Sequence, residues 1–456
     1  MSVTIDKKGF NRELRTLALP IALQHLMLAA VAAADALMLG RVAQDQMTAV
    51  SLATQIQFVQ NMFLTAVTGA GAILGAQYWG KKDRAALEDI FSLTLRWSGL
   101  ICLMFFLACE FVPGTLMRLF THDEDLISIG GGYLRIAGWS YLITGVSQCC
   151  LTVMKVTGRV RPGAVISTLA VVLNVLFNAV FIFGLLGAPG MDARGAALAT
   201  VLARVIELTA CLVLTARPGW VKPALSRFFR LPRQLARDLM RQFLPLLGGA
   251  LCWGVGFTSY TAVIGHMGTD PAAANSVAAV VRDLICCACQ GVGIAAGIMV
   301  GNQLGAGNRE MGKAYGIRLK NISWVIGFIS TFVALAVTPL VVRMVILTDA
   351  ARAYLTGMMV IMAVYMIGRS VNTVTINGVL AGGGDTLFDV YSLIVSMWCV
   401  AVPLAFLGAF VFHWHPLAVY ACTCVDEVGK IPWVMARFRK YKWVRDLTRS
   451  EEELRT

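Results

Sequence analysis

Long apolar stretches fill this chain, and short runs of glycine, proline and charge interrupt them at intervals of about one helix. A helix that crosses a bilayer needs about 20 mostly apolar residues. On that scale the pattern predicts twelve spans, at 17–39, 48–78, 90–112, 130–154, 162–187, 195–215, 243–265, 272–303, 321–343, 353–380, 390–412 and 417–437. Apolar runs of this length read as helices, because within a membrane a helix satisfies every backbone group internally. The expected fold class is an all-α integral membrane protein. Its twelve transmembrane helices form two six-helix bundles related by a parallel pseudo-two-fold repeat. A basic connection carrying Pro218, Pro223 and Pro232 divides the spans six and six, giving an N-terminal lobe at 1–216, a cytoplasmic connection at 217–241 and a C-terminal lobe at 242–456.

An internal repeat supports that division. Pro20 and Pro245, Gly40 and Gly265, Asp45 and Asp270, Ala49 and Ala274, Ser51 and Ser276, Gly158 and Gly383, and Ser167 and Ser392 are each 225 positions apart. Near Gly75 and Gln77 the register reads as 226, against Gly301 and Gln303. Six spans per half bring both halves into the membrane from the same face, so the repeats are parallel about an axis along the membrane normal. Bundles of this kind place a cavity between halves and work by rocking one against the other, an architecture suited to a transporter. Gly80-Lys81, Gly312-Lys313 and Gly429-Lys430 are never followed by Ser or Thr, so none is a phosphate-binding loop. An ion gradient is then the expected driving force, with no cofactor.

Composition agrees with the pattern. Of 456 residues 57% are hydrophobic and 14% charged, with a mean hydropathy of +0.70; a soluble protein carries about 25% charge. The length leaves no room for a catalytic or nucleic-acid-binding domain. The net charge of +13 is a topology signal: 29 of the 39 Lys and Arg fall on the side that holds the N-terminus, 6 on the other side and 4 within spans. That bias puts both termini in the cytoplasm of a multi-pass protein of the cell membrane. Treating the first apolar run as a cleaved signal peptide would leave an odd number of spans, with the basic loops on the wrong side. The twelve cysteines lack a secreted spacing, and Cys149, Cys150, Cys286, Cys287 and Cys289 lie in apolar stretches, as small buried thiols do.

Several segments resemble the multidrug and toxic compound extrusion family, over nearly the whole chain. They are Asp35 five residues before Gly40, the stretch Gly75-Ala76-Gln77-Tyr78-Trp79-Gly80, Asn174-x-x-x-Asn178 leading to Phe181-Ile182-Phe183-Gly184, and Gly195-Ala196-Ala197-Leu198-Ala199-Thr200. Val300-Gly301-Asn302-Gln303-Leu304-Gly305-Ala306-Gly307 and Gly378-Val379-Leu380-Ala381-Gly382-Gly383-Gly384-Asp385-Thr386 complete the set. The resemblance implies a monomer that exports small organic, often cationic compounds in exchange for protons or sodium ions. The alternative within the same superfamily is a flippase of a lipid-linked sugar, which calls for more intramembrane cations than the first half holds.

Asp35 lies inside the first span, where an ionised carboxylate is costly and commonly serves ion or proton movement. Asn174 and Asn178, four residues apart, share one helix face. The resemblance joins Asp35, Asn174, Asn178 and Thr200 into a cation or proton site, whose oxygens would suit sodium. Asn178 stands where some relatives have Asp, so the site has one formal charge instead of two. Stepping 225 positions onward, Asp35 becomes Tyr260, Asn174 becomes Cys399, Asn178 becomes Pro403 and Thr200 becomes Val425, which places the polar constellation in the first half only. Tyr260 and Trp253 then read as cavity walls. Asp283 is the main ionisable candidate of the second half, for coupling or ion pairing. It is not expected to pair tightly with its neighbour Arg282, since adjacent helical residues point about 100° apart. Arg204 and Glu207 are spaced to pair on one face, and Arg369 is left to pair with an acid such as Asp283 or Glu207. His25, alone inside a span, reads as structural.

Overall fold

A computed structural model describes residues 6–40, 44–187, 189–224, 228, 232–345, 347–450 and 453; for 31–37, 39, 40, 44 and 186 it describes the backbone alone. The described residues form fifteen α-helices with π-helical stretches and no strand. Among the described residues, ten helical segments, from Asp45–Gly80 to Leu387–Val411, are long and apolar enough to cross a membrane. The other two expected spans fall on α1 (Lys7–Gly40) and on α14 (Pro416–Gly429) with α15 (Ile431–Arg439), which are separated at Lys430. Helices often outrun their apolar segments. The span expected at 321–343 is the end of α10 (Arg309–Met344), and that expected at 130–154 lies in α5 (Glu124–Val156). Polar turns at a span's end continue the helix beyond the hydrocarbon. A cap then ends it, as where Asp123 accepts from the backbone N–H groups of Asp125 and Leu126. The short α4 (Pro113–Arg118), opened by Pro113, was not expected.

The repeat is visible in the helix bounds. α2 (Gln44–Gly80) and α9 (Thr269–Gly305) both start and end 225 residues apart, α3 (Arg84–Phe111) starts 225 before α10, and α5 starts 225 before α11 (Asp349–Asn372). Pro20 and Pro245 sit inside the matching helices α1 and α8 (Arg233–His266). The 226 register at Gly75 and Gln77 is therefore corrected to 225. Gly80 packs against the Asn302 carbonyl and Gly305 against the Gln77 carbonyl. Gly80 and Gly305 are repeat partners, as are Gln77 and Asn302. A Cβ at either glycine would overlap backbone, so the reciprocal crossing requires glycine at both positions.

The chain divides into two compact units: Met1–His25 with Ala76–Lys82 and Leu244–Thr448, and Leu26–Gly75 with Asp83–Phe243 and Arg449–Thr456. In the unit holding most of the first half, α3 packs on α5, α5 on α7 (Asp192–Ala216), and α6 (Val160–Phe183) on α7. Ile56, Cys109, Met117, Leu134, Tyr141 and Ala197 belong to its core. In the other unit α9, α10 and α11 pack on one another and α11 on α14. Met358, Met359, Met362 and Met366 form a buried stripe along α11, so these flexible side chains fill the interior of this unit.

The glycine run at 382–384 has a packing reason. Trp443, fully buried beyond α15, lies against Gly316 and Gly383, and Leu447 lies against Gly384, whose φ of 80° suits glycine. Gln77 holds this tail. Its amide nitrogen donates to the Gly382 carbonyl at 2.9 Å, and its oxygen accepts from the Leu447 N–H at 2.6 Å. Arg437 clamps Asp385 through two bonds of 2.8 Å.

Candidate functional site

α6 places Asn174 and Asn178 one turn apart on its buried face. Asn178 donates to Asn174 Oδ1 at 3.4 Å, Asn174 donates to Thr200 Oγ1 at 3.2 Å, and Thr200 donates to the Ala196 carbonyl at 3.0 Å. The three expected residues thus meet as a chain of hydrogen bonds running from α6 to α7. An ion coordinated by Asn174 Oδ1 would compete with the bond from Asn178. Asp35 lies on α1, and its side chain is outside the described residues. Nearby in sequence, Arg204 pairs with buried Glu207 at 2.6 Å, and Ser167 donates to the same carboxylate at 3.3 Å.

The second half differs from expectation in three respects. Arg282 does pair with Asp283: Nε and Nη2 reach Oδ1 at 3.0 and 2.8 Å. The divergence of adjacent residues is overcome by the length of the arginine side chain, which folds back while its guanidinium covers the Phe257 ring at 4.3 Å. The Asp283 side chain is 63% exposed, so this pair leaves its carboxylate at an open position. Arg369 pairs with neither Asp283 nor Glu207 but with Glu427, at 2.9 Å.

The third correction concerns the polar constellation, which is not confined to the first half. Glu427 also receives Lys430 at 3.1 Å, and Asn372 donates to its carboxylate and its carbonyl, each at 2.7 Å. Beside it, Asp426 accepts from the Tyr260 hydroxyl at 3.3 Å. Asp426, Glu427 and Lys430 are all buried. Stepping by 225 missed this cluster because it does not use the positions that carry polar groups in the first half. The available signal was an Asp-Glu pair followed by Lys430 three residues after Glu427, inside the expected span 417–437.

Trp253 stacks on Phe257 with ring centroids 5.4 Å apart, and Trp398 donates to the Cys252 carbonyl at 3.1 Å. Trp253 and Tyr260 line a narrow cavity together with Arg282, Tyr365, Tyr420 and Asp426. Its water-accessible space is ≈ 30 Å³. That exceeds the roughly 10–15 Å³ needed by one water and is far below a drug-sized site.

A twice-repeated bundle of apolar helices, with amides and ion pairs buried inside it, defines a polytopic membrane transport protein. The chain belongs to the MatE family, whose description matches residues 20–180 and 245–407. The two matches begin 225 residues apart, in the register of the repeat. An uncharacterized transporter of Bacillus subtilis is 23% identical over 90% of each chain. A probable multidrug resistance protein NorM of Bradyrhizobium diazoefficiens is 25% identical over 86% of this chain and 85% of that one. Among solved structures, an outward-facing multidrug resistance MATE transporter superposes with a TM-score of 0.85 at 17% identity, covering 96% of this chain and 99% of that one. The bent form of a Vibrio cholerae MATE transporter gives 0.85 at 15%, covering 95% and 97%. The protein is thus a multi-pass membrane transporter of a multidrug efflux family and not an enzyme. The lipid-linked sugar flippase is not favoured.

Proposed function

We propose that this protein exports organic, lipophilic cationic compounds in exchange for protons or sodium ions, by alternating access of its two lobes. Membership of the MatE family supports the class of activity. The observation that carries the coupling reading is the chain Asn178–Asn174–Thr200 joining α6 to α7, with both asparagines buried. Buried polar groups are costly in hydrocarbon, so their clustering on α6 and α7 supports a site that handles charge. Asp35 supplies the carboxylate of that site. Its protonated form is neutral and tolerates a dry pocket; its ionised form needs water, a cation or hydrogen-bond donors. Trp253 and Tyr260 serve as cavity walls in the second half, around a space that admits water. Both termini face the cytoplasm, following the distribution of Lys and Arg, and the monomer is the working unit.

One charge moving through 100 mV releases about 2.3 kcal/mol, enough to sustain a gradient on the order of 40-fold, so one carboxylate is sufficient. The test is efflux of a lipophilic cation from proteoliposomes while pH and sodium gradients are imposed independently. Gradient-driven efflux by the parent protein and its loss in Asp35→Asn are expected. Undiminished efflux by Asp35→Asn removes Asp35 from the mechanism.

A further inference from the structure

The carboxylate at position 35 has no counterpart at its repeat position, where Tyr260 stands. Tyr260 is nevertheless bonded to a buried carboxylate, Asp426, contributed by the last span of the second half. Asp426 is one residue beyond Val425, the repeat partner of Thr200. The pair Asp35 and Thr200, an acid on the first span and a hydroxyl on the sixth, is thus matched in the second half by Tyr260 and Asp426, a hydroxyl on the first span and an acid on the sixth. The two chemical groups have exchanged helices.

Asp426 and Glu427 are adjacent but differ in environment. Glu427 is saturated by Arg369, Lys430 and Asn372 and has the bonds of a fixed structural anion. Asp426 is 4% exposed and accepts from a phenol at Oδ2; the Glu427 backbone N–H favours the carboxylate only weakly, and the buried Oδ1 has no partner in hydrogen-bond geometry. A carboxylate oxygen withdrawn from water and left without a donor carries a large desolvation cost, which protonation removes. The cavity beside it provides access. Its ≈ 30 Å³ suits one or two waters and excludes an organic cation.

We propose that Asp426 is a second proton-exchange site, in the second half, reached through the cavity walled by Tyr260, Tyr365, Tyr420 and Arg282. A hydronium ion entering with cavity water gives its proton to the Asp426 carboxylate and leaves as water; one O–H bond forms as another breaks, and the reverse step returns the proton. The surrounding groups favour a proton over a metal cation. Tyr260 faces Asp426 from α8, Arg282 from α9, and Tyr365 and Arg369 from α11, while Cys424, Glu427 and Lys430 act from its own segment. Asp389, on α12 (Leu387–Leu393), acts on the adjoining Glu427, Lys430 and Arg369. Two guanidinium groups and an ammonium group near the site repel an added metal ion, and the aromatic faces of Phe257 and Trp253 are already covered by Arg282 and Arg369.

This inference does not depend on the substrate or the direction of transport, and its test involves no transport. The purified protein in lipid is titrated with acid while the infrared carbonyl band of protonated carboxyl groups is followed. The expected difference between the parent and Asp426→Asn is loss of intensity equivalent to one carboxyl group, with no such loss of a buried band in the exposed control Asp283→Asn. In Tyr260→Phe, which removes a donor to the charged form, the band should persist to higher pH. Identical titrations of the parent and Asp426→Asn overturn the proposal. If Asp426→Asn does not fold, Tyr260→Phe decides: a band unmoved along the pH axis overturns it. Sodium added at fixed pH should leave the Asp426 band in place; its removal by sodium would assign the site to a metal cation and contradict a proton site.

Discussion

Glu427 holds together the buried charge cluster of the second half, and its removal has a calculable consequence. In Glu427→Ala, Arg369 loses a partner at 2.9 Å, Lys430 loses one at 3.1 Å, and Asn372 loses an acceptor at 2.7 Å. The side chains of Glu427, Lys430 and Arg369 are 3%, 4% and 19% exposed, so solvent screens these pairs weakly. Breaking a buried ion pair from one side costs about 3–5 kcal/mol, because the stranded charge keeps its desolvation penalty. Two stranded cations place this variant toward the upper end. Arg352→Ala breaks a pair with Asp349 in which the side chains are 46% and 101% exposed, and its cost should be at most about 1 kcal/mol. Removing one stranded cation in Glu427→Gln/Lys430→Met should recover part of the loss relative to Glu427→Gln alone. Reversible unfolding by a denaturing detergent in mixed micelles measures these differences. A Glu427→Ala protein within about 1 kcal/mol of the parent, or no less stable than Arg352→Ala, would refute the reasoning.

The remaining predictions concern the glycine crossing, the tail and the choice of ion. Gly80→Val or Gly305→Val should reduce the folded yield and thermal stability sharply, whereas Gly265→Val, which meets no atom within 4 Å, should be mild; equal effects in a thermal-shift assay would contradict the crossing. Trp443→Ala empties a fully buried position and should cost about 3–5 kcal/mol, read by the same detergent titration. Asn178→Asp adds a second formal charge to the first-half group and should strengthen sodium dependence of efflux in vesicles; an unchanged dependence would show that charge count there does not select the ion.

The spans, the duplication and the family were legible in the sequence because each is written in many residues at once. Twelve apolar runs are a coarse pattern that a misplaced boundary does not erase. The register at Gly75 and Gln77 was misread because an identity of residue type one position away outweighed the backbone constraint. Only the packing of Gly80 on Asn302 and of Gly305 on Gln77 shows which pairing the fold uses. Asn174, Asn178 and Thr200 were readable since helical spacing brings the first two onto one face and both belong to recognisable motifs. The Glu427 cluster was not. Its members are drawn from α11 and α14, 55 or more positions apart in sequence for Asn372 and Arg369, and no local spacing announces such a meeting. Arg282 illustrates another limit: directions of Cα–Cβ bonds do not bound where a long flexible side chain can place its charge.

Export driven by ion movement through a carboxylate site requires that an imposed ion gradient move substrate uphill. The most direct measurement is efflux of a lipophilic cation from proteoliposomes containing the parent or Asp35→Asn, with pH and sodium gradients applied one at a time. One gradient should drive substrate out of the parent vesicles against the substrate's own gradient, and Asp35→Asn should lose this uphill movement. Uphill efflux of equal rate in the variant, or efflux by the parent that neither gradient changes, would contradict this coupling.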